Sequence, residues 1–243
     1  MKCVKLNTIE KFSEFFDYTE VGDFFKIKEK GFKQQGFEGP LIICGEVANH
    51  KVLLPDDSSE LFTMAQFEQL IFENFNTSNI TNMAFMFQCC VNLHSIDIST
   101  FETTNVTDMS AMFLNCKNLI NIDLNNFNTS NVKNMLGMFW GCKSLTQLNL
   151  SSFNTINVKH MECMFEHCYN LTILNLSKFI TSNVSSMRSM FNNCNHLIML
   201  DLSKFDTSNV VNVSYIFRGC QNLTILKTCD RKLLEEYKQK VKI

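Results

Sequence analysis

Between residues 75 and 230 the apolar and polar positions recur every 26 residues without an insertion, anchored at Phe75, Phe101, Phe127, Phe153, Phe179 and Phe205. Each copy reads approximately F-x-T-x-N-V-x-x-M-x-x-M-F-x-x-C-x-x-L-x-x-L-x-L-S-x. A fixed period of this length predicts a solenoid in which every copy forms one coil stacked on the next. Besides phenylalanine, four residue types each hold a column through all six copies: Thr77 to Thr207, Asn79 to Asn209, Cys90 to Cys220 and Leu93 to Leu223. Stacking accounts for them, because a position buried in one coil meets its equivalent in the next.

Inside each copy the period changes. In the second, Val106, Met109, Met112, Phe113 and Cys116 recur at offsets of three and four, which predicts one apolar face of a short helix. Leu119, Ile122 and Leu124 follow, the last two alternating as in a strand. The expected coil therefore joins a short helix to a short parallel strand, with strands about 4.8 Å apart along one face. Thr103, Thr104 and Asn105 are each placed to cap that helix.

The flanking segments follow other rules and read as caps, giving a capping region over 1–60, a solenoid over 61–230 and a capping helix over 231–243. NTIEKFSEFF predicts a helix after Asn7 or Thr8, with Ile9, Phe12, Phe15 and Phe16 on one face. LIICGEV and KVLLP predict strands bounded by Gly39, Pro40, Gly45 and Pro55. Met64, Phe67, Leu70 and Phe72 fall one period before Cys90, Leu93, Ile96 and Ile98, so residues 61–74 read as half a repeat. At the far end RKLLEEYKQKVKI predicts a helix whose Leu233, Leu234, Tyr237 and Val241 cover the last coil, since an open end would expose apolar columns.

The L-x-x-L-x-L half of the repeat is the hallmark of leucine-rich repeats, and the whole of LNLSSFNTINVKHMECMFEHCYNLTILNLSKF (148–179) narrows the match. Over about residues 51 to 230 the chain resembles the BspA-like leucine-rich repeat surface proteins, catalogued partly as a mycoplasma family of unknown function. The fold class expected is thus an α/β repeat, a leucine-rich-repeat solenoid of six 26-residue coils. The resemblance implies a protein-binding scaffold, in several members displayed on microbial surfaces and used in adhesion, and implies no catalytic residues. The first residues, MKCVKLNTIEKFSEFFDYTE, lack a continuous apolar signal core, and no run of 18 apolar residues predicts a membrane span. A cytoplasmic location is expected on that ground, with a surface location by a non-classical route as the alternative.

A formal net charge of −2 leaves no electrostatic footprint for nucleic acid. Of the 11 cysteines, six end the helical apolar face, where a free thiol acts as a small hydrophobe. No phosphate-binding glycine loop, H-E-x-x-H or G-x-S-x-G occurs, and the abundant Asp, Ser and Thr recur once per coil as structural ladders do. No enzyme activity and no cofactor are expected. His160, Cys163, His167 and Cys168 form the one local cluster with ligand chemistry, but Cys168 belongs to the ladder and no C-x-x-C pair supports a zinc site.

A solenoid binds through exposed columns that vary. On the strand face these are Asp97, Asp123, Asn149, Asn175, Asp201 and Lys227, flanked by Ser95, Asn121, Gln147, Ile173, Met199 and Ile225. On the other side Leu114 and Trp140 share a column with Gln88, Glu166, Asn192 and Arg218, while Leu136 lies one turn before Trp140. Both surfaces are candidate contacts for another protein. Neither predicts the oligomeric state.

Overall fold

Gln147–Asn149 alternates polar, apolar, polar, and its Leu148 turns inward between two exposed neighbours. The same three positions one period later, Ile173–Asn175, pair with it in parallel and in register. Repetition of this step builds, in the computed structural model describing residues 3–34 and 36–240, a β-solenoid of about eight turns with few helices. The strands are β1 (Val4–Leu6), β2 (Phe16–Val21), β3 (Phe24–Phe32), β4 (Gly39–Cys44), β5 (Glu46–Val47), β6 (His50–Leu53), β7 (Phe67–Glu73), β8 (Ser95–Asp97), β9 (Gln147–Asn149), β10 (Ile173–Asn175), β11 (Met199–Asp201) and β12 (Ile225–Lys227). The helices are α1 (Ile9–Phe15), capped by the Thr8 hydroxyl, and α2 (Arg231–Lys240).

The short helix expected in each coil does not form. In the second copy the N–H groups of Met109, Ala111, Phe113 and Asn115 reach the carbonyls of Asn134, Leu136, Met138 and Trp140 in the next coil. The interleaved Met112, Leu114 and Cys116 close tight turns onto Met109, Ala111 and Phe113. Ala111 and Asn115 take φ of 51° and 57°, a left-handed backbone that stops an α-helix. A helix this short would leave most of its end N–H and C=O groups unpaired inside the stack. A chain of turns hands them to the adjacent coils instead, and a line of parallel bridges runs on from Asp57 through Asn82, Asp108, Asn134, His160 and Ser186 to Asn212.

Side-chain rows reinforce this arm. The Thr155 hydroxyl accepts from Ile180 N–H and donates to Ile180 C=O, both at 2.8 Å, and Thr77, Thr103, Thr129 and Thr181 repeat the pair. Thr103 is thus an inter-coil bridge and caps no helix. The asparagine row donates backwards: Asn131 Nδ2 lies 2.8 Å from Thr104 O, Asn157 Nδ2 2.7 Å from Ser130 O. Within the core, Phe87, Phe113, Phe139, Phe165, Phe191 and Phe217 stack at 5.4–6.1 Å between ring centres. The cysteine column lies beside them, each thiol donating to a Phe carbonyl of the preceding coil, as Cys142 Sγ does to Phe113 O at 3.1 Å.

The parallel sheet that joins β7 to β8 continues through β4 to β1, so stacking carries past the six copies legible in the sequence. Backbone ladders and apolar columns suffice for that, without the consensus residues. Phe62 stacks on Phe87 at 5.5 Å, one residue short of a period, and the slip moves Met64 out of the cysteine column. Ala65 is buried there, while Met64 takes the left-handed, exposed place equivalent to Cys89. Beyond, β2, β3, β6 and β5 form a second sheet over Phe12, Phe16 and Phe25. At the other end α2 closes the stack: Leu233 is buried and Tyr237 meets Phe217 edge-on at 6.0 Å. Asp230 replaces the missing coil, accepting from Thr207 N–H and Oγ1 at 3.1 and 2.6 Å. Val241 lies outside the described residues.

Candidate functional site

The strand face brings together the residues that alternation assigns to it. Asp97, Asp123, Asn149, Asn175 and Asp201 are all exposed along one column, and Lys227 meets Asp201 at 3.6 Å. They also hold the backbone. Oδ1 of each accepts the N–H two residues on, at 2.9–3.2 Å, in Ser99, Asn125, Ser151, Ser177 and Ser203. Such Asx turns end the strand and start the return path. The Ser203 bonds hold the Asp201 carboxyl below its ordinary value. Oδ1 of every such side chain is therefore committed to the fold; Asp97 and Asp123 keep a second oxygen outside the turn, whereas the Asn149 and Asn175 amides donate to neighbouring side chains and the second Asp201 oxygen faces Lys227.

Beside that column the character changes along the stack. Ser95, Asn121 and Gln147 give way to Ile173, Met199 and Ile225, which are 62%, 48% and 48% exposed, with Ile198 at 55% alongside. Met199 and Ile225 are paired across β11 and β12. An apolar row thus stands in solvent on the last coils. The alternation identifies three of its members, whereas Ile198 shares a column with His94, Ile120 and three threonines, which gives no such signal.

On the turn arm Leu136 and Trp140 are 38% and 36% exposed, and Leu114 is half-buried. The Trp140 side chain lies against Gly137, where an added Cβ would meet it at 3.7 Å. Part of its surface is therefore spent on its own coil, and the three residues form a smaller apolar feature than the strand-face row.

The polar cluster of the fourth copy is tied mainly to its own neighbours, although the buried Glu162 Oε2 and Asn192 Oδ1 beside it have no partner among the described residues. Tyr169 Oη and Asn193 Nδ2 sit 2.9 and 3.2 Å from His167 Nδ1, and Asn192 Nδ2 donates to Glu166 at 2.6 Å. Burial, then the neighbouring Glu166, pushes the Cys163 thiol up to about 12, which keeps it protonated and poorly nucleophilic. Among the described residues no group of three or more His, Cys, Asp or Glu is arranged to hold a metal ion. No helix among them is long and apolar enough to cross a membrane.

A family model described as "Mycoplasma protein of unknown function, DUF285" matches residues 46–147 and again 116–228, together most of the chain. The chain belongs to this DUF285 family. The match agrees with the BspA-like resemblance of the repeat. No curated protein matches the chain. Among solved structures, a leucine-rich repeat protein of T. pallidum is similar over 94% of both chains, at 17% identity and a TM-score of 0.54. A leucine-rich cell surface protein of Faecalibacterium prausnitzii A2-165 is similar over 89% of this chain and 53% of its own, at 14% identity and a TM-score of 0.48. The T. pallidum likeness places this DUF285 chain among leucine-rich repeat folds and speaks to fold alone.

Proposed function

We propose that this DUF285 protein is a non-enzymatic scaffold that binds another protein through the strand face of its last coils. The observation that carries the reading is the exposed apolar row Ile173, Met199 and Ile225, flanked by Asp201 and Lys227. Apolar residues ringed by charged ones form the centre of protein interfaces, and scattered singly they would mean little. In this reading the six 26-residue copies are display units, and residues 1–60 and 231–243 are caps that close the stack. The leucine-rich fold supports the assignment, since stacked repeats present an extended row of exposed positions for binding.

The BspA-like resemblance favours a second setting for the same surface, as an adhesin or structural component outside a microbial cell. Thiol titration of protein taken from its native source separates the two settings: free thiols throughout match a reducing cytoplasm, protected pairs match export. The binding reading is tested by Ile173→Asp with Met199→Asp, both on exposed positions. The doubly substituted chain keeps its thermal unfolding midpoint and loses the partner recovered by the unsubstituted chain from native extract. Equal recovery by both chains would overturn the assignment of this face.

A further inference from the structure

The second copy departs from its neighbours on the strand face. Between β8 and β9, residues Asn121–Leu124 form no strand, and among the described residues their N–H groups find no backbone acceptor. Ile122 is only half-buried, where its column neighbours Ile96 and Leu148 are buried. At this break the face sinks into a shallow groove of roughly 500 Å³, reaching from Asn121 to Asn175. Its free polar ends belong to Asn121 and Gln147, whose amides bond nothing else in the described chain, and to Asn125 Nδ2 and the second oxygen of Asp123. Ile122 and Ile173 add apolar surface.

We propose that this groove binds a neutral oligosaccharide. An amide sets a donor beside an acceptor, which matches a pair of adjacent sugar hydroxyls, each able to give and take one bond. A single carboxylate among six polar side chains leaves the groove close to neutral, a poor match for a charged polymer. Ile122 and Ile173 supply apolar contact for the C–H face of a sugar ring. Spacing separates this occupant from a peptide. Neighbouring rows stand about 4.8 Å apart, whereas a strand laid along the stack repeats its backbone groups every roughly 6.8 Å and falls out of register. A pyranose ring spans a single row-to-row step. The site lies on the polar half of the face, shares only Ile173 with the apolar row and does not depend on that row's being a protein contact.

The test is titration of the full chain with cellohexaose, chitohexaose, mannohexaose and maltohexaose, followed by calorimetry and by NMR shifts of the side-chain amides. Saturable binding of one of these sugars is expected at millimolar concentration or below. In Asn121→Ala with Gln147→Ala it weakens about tenfold, as the loss of two neutral hydrogen bonds predicts. The unfolding midpoint of that variant stays unchanged, because neither side chain holds the fold. Ile225→Asp leaves sugar binding intact while it removes part of the apolar row, so the two readings fail separately. Absence of saturable binding by all four sugars, binding unmoved by the double substitution, or preference for an extended uncharged Gly-Ser peptide would each overturn the proposal.

Discussion

The two arms of the coil are built to different standards. On the turn arm every second N–H crosses to the next coil, and bridges run from Asp57 to Asn212 without a gap. The strand arm, which carries the regular secondary structure, is divided into three parallel pieces: β1 to β8, β9 with β10, and β11 with β12. Continuity of the stack therefore resides in the irregular arm, with its threonine, asparagine, cysteine and phenylalanine columns. That division leaves the strand arm free to vary its exposed residues, and both proposed contact surfaces lie there.

Alkaline pH should break the turn arm first. Burial holds the Cys168 and Cys220 thiols up at about 12 and keeps Cys116, Cys142 and Cys194 well above the ordinary thiol value of 9.0. Above pH 9 the unfolded chain sheds these protons while the folded chain keeps them. Unfolding therefore releases protons, and stability falls between pH 9 and about 12. Urea midpoints measured through that window should drop steadily, and less steeply in Cys168→Ala; a flat profile would contradict burial of the thiols.

Next in size is Cys142→Asp, which leaves a charge unpaired among Met and Phe side chains at a cost of about 3–5 kcal/mol. Cys142→Ala costs only about 1 kcal/mol, the scale of a small cavity. Denaturant unfolding of the two variants distinguishes them, and equal tolerance would mean that the column is not packed as described. Gly141 sharpens the point further. Its φ is +74° and an added Cβ would lie 2.3 Å from Asn115 Oδ1 in the preceding coil, so Gly141→Ala should cost about 2–3 kcal/mol. Gly137→Ala meets only the Trp140 side chain at 3.7 Å and should cost about 1 kcal/mol, the strain of the left-handed backbone. Asn115→Ala should recover part of the first loss and none of the second, a coupling that a double-mutant cycle reads.

The smallest effects are expected on the strand arm. Asp123→Ala removes the 2.9 Å bond to Asn125 N–H and should cost about 1 kcal/mol. Asp123→Asn keeps that turn and should stay within about 0.5 kcal/mol. Reversal of charge by Asp97→Lys or Asp123→Lys changes turn and charge together, so the Asp→Asn variants are the ones that isolate the charge in a binding measurement. Thermal melts in which Asp123→Asn is as damaging as Asp123→Ala would remove the Asx turn from its role.

Much of this architecture is legible in the residues. Invariant threonine and asparagine columns announce polar groups with a fixed place in every coil, although they read as caps of a helix and instead bond between coils; an apolar column of cysteines announces buried thiols. The expected helix is absent because apolar spacings of three and four suit a helix and a chain of tight turns equally, and the sign of φ at Ala111 and Asn115 separates them. The slip that puts Ala65 in place of Met64 escapes notice because a methionine is as apolar as the column requires. Nothing in Leu119, Ile122 and Leu124 signals the break between β8 and β9, since the alternation there is intact.

What the sequence alone determined is the period, and with it the stacked columns, the buried residues and the leucine-rich solenoid. Burial is a property of one coil repeated, so it can be read along the chain. Only the tertiary structure decided which N–H finds which carbonyl in the next coil, hence turns in place of helices, three sheet pieces in place of one, and Asn121 and Gln147 left free where Asn149 and Asp123 are tied into the backbone. Those choices depend on the distance between neighbouring coils at each position, a quantity that no single repeat contains.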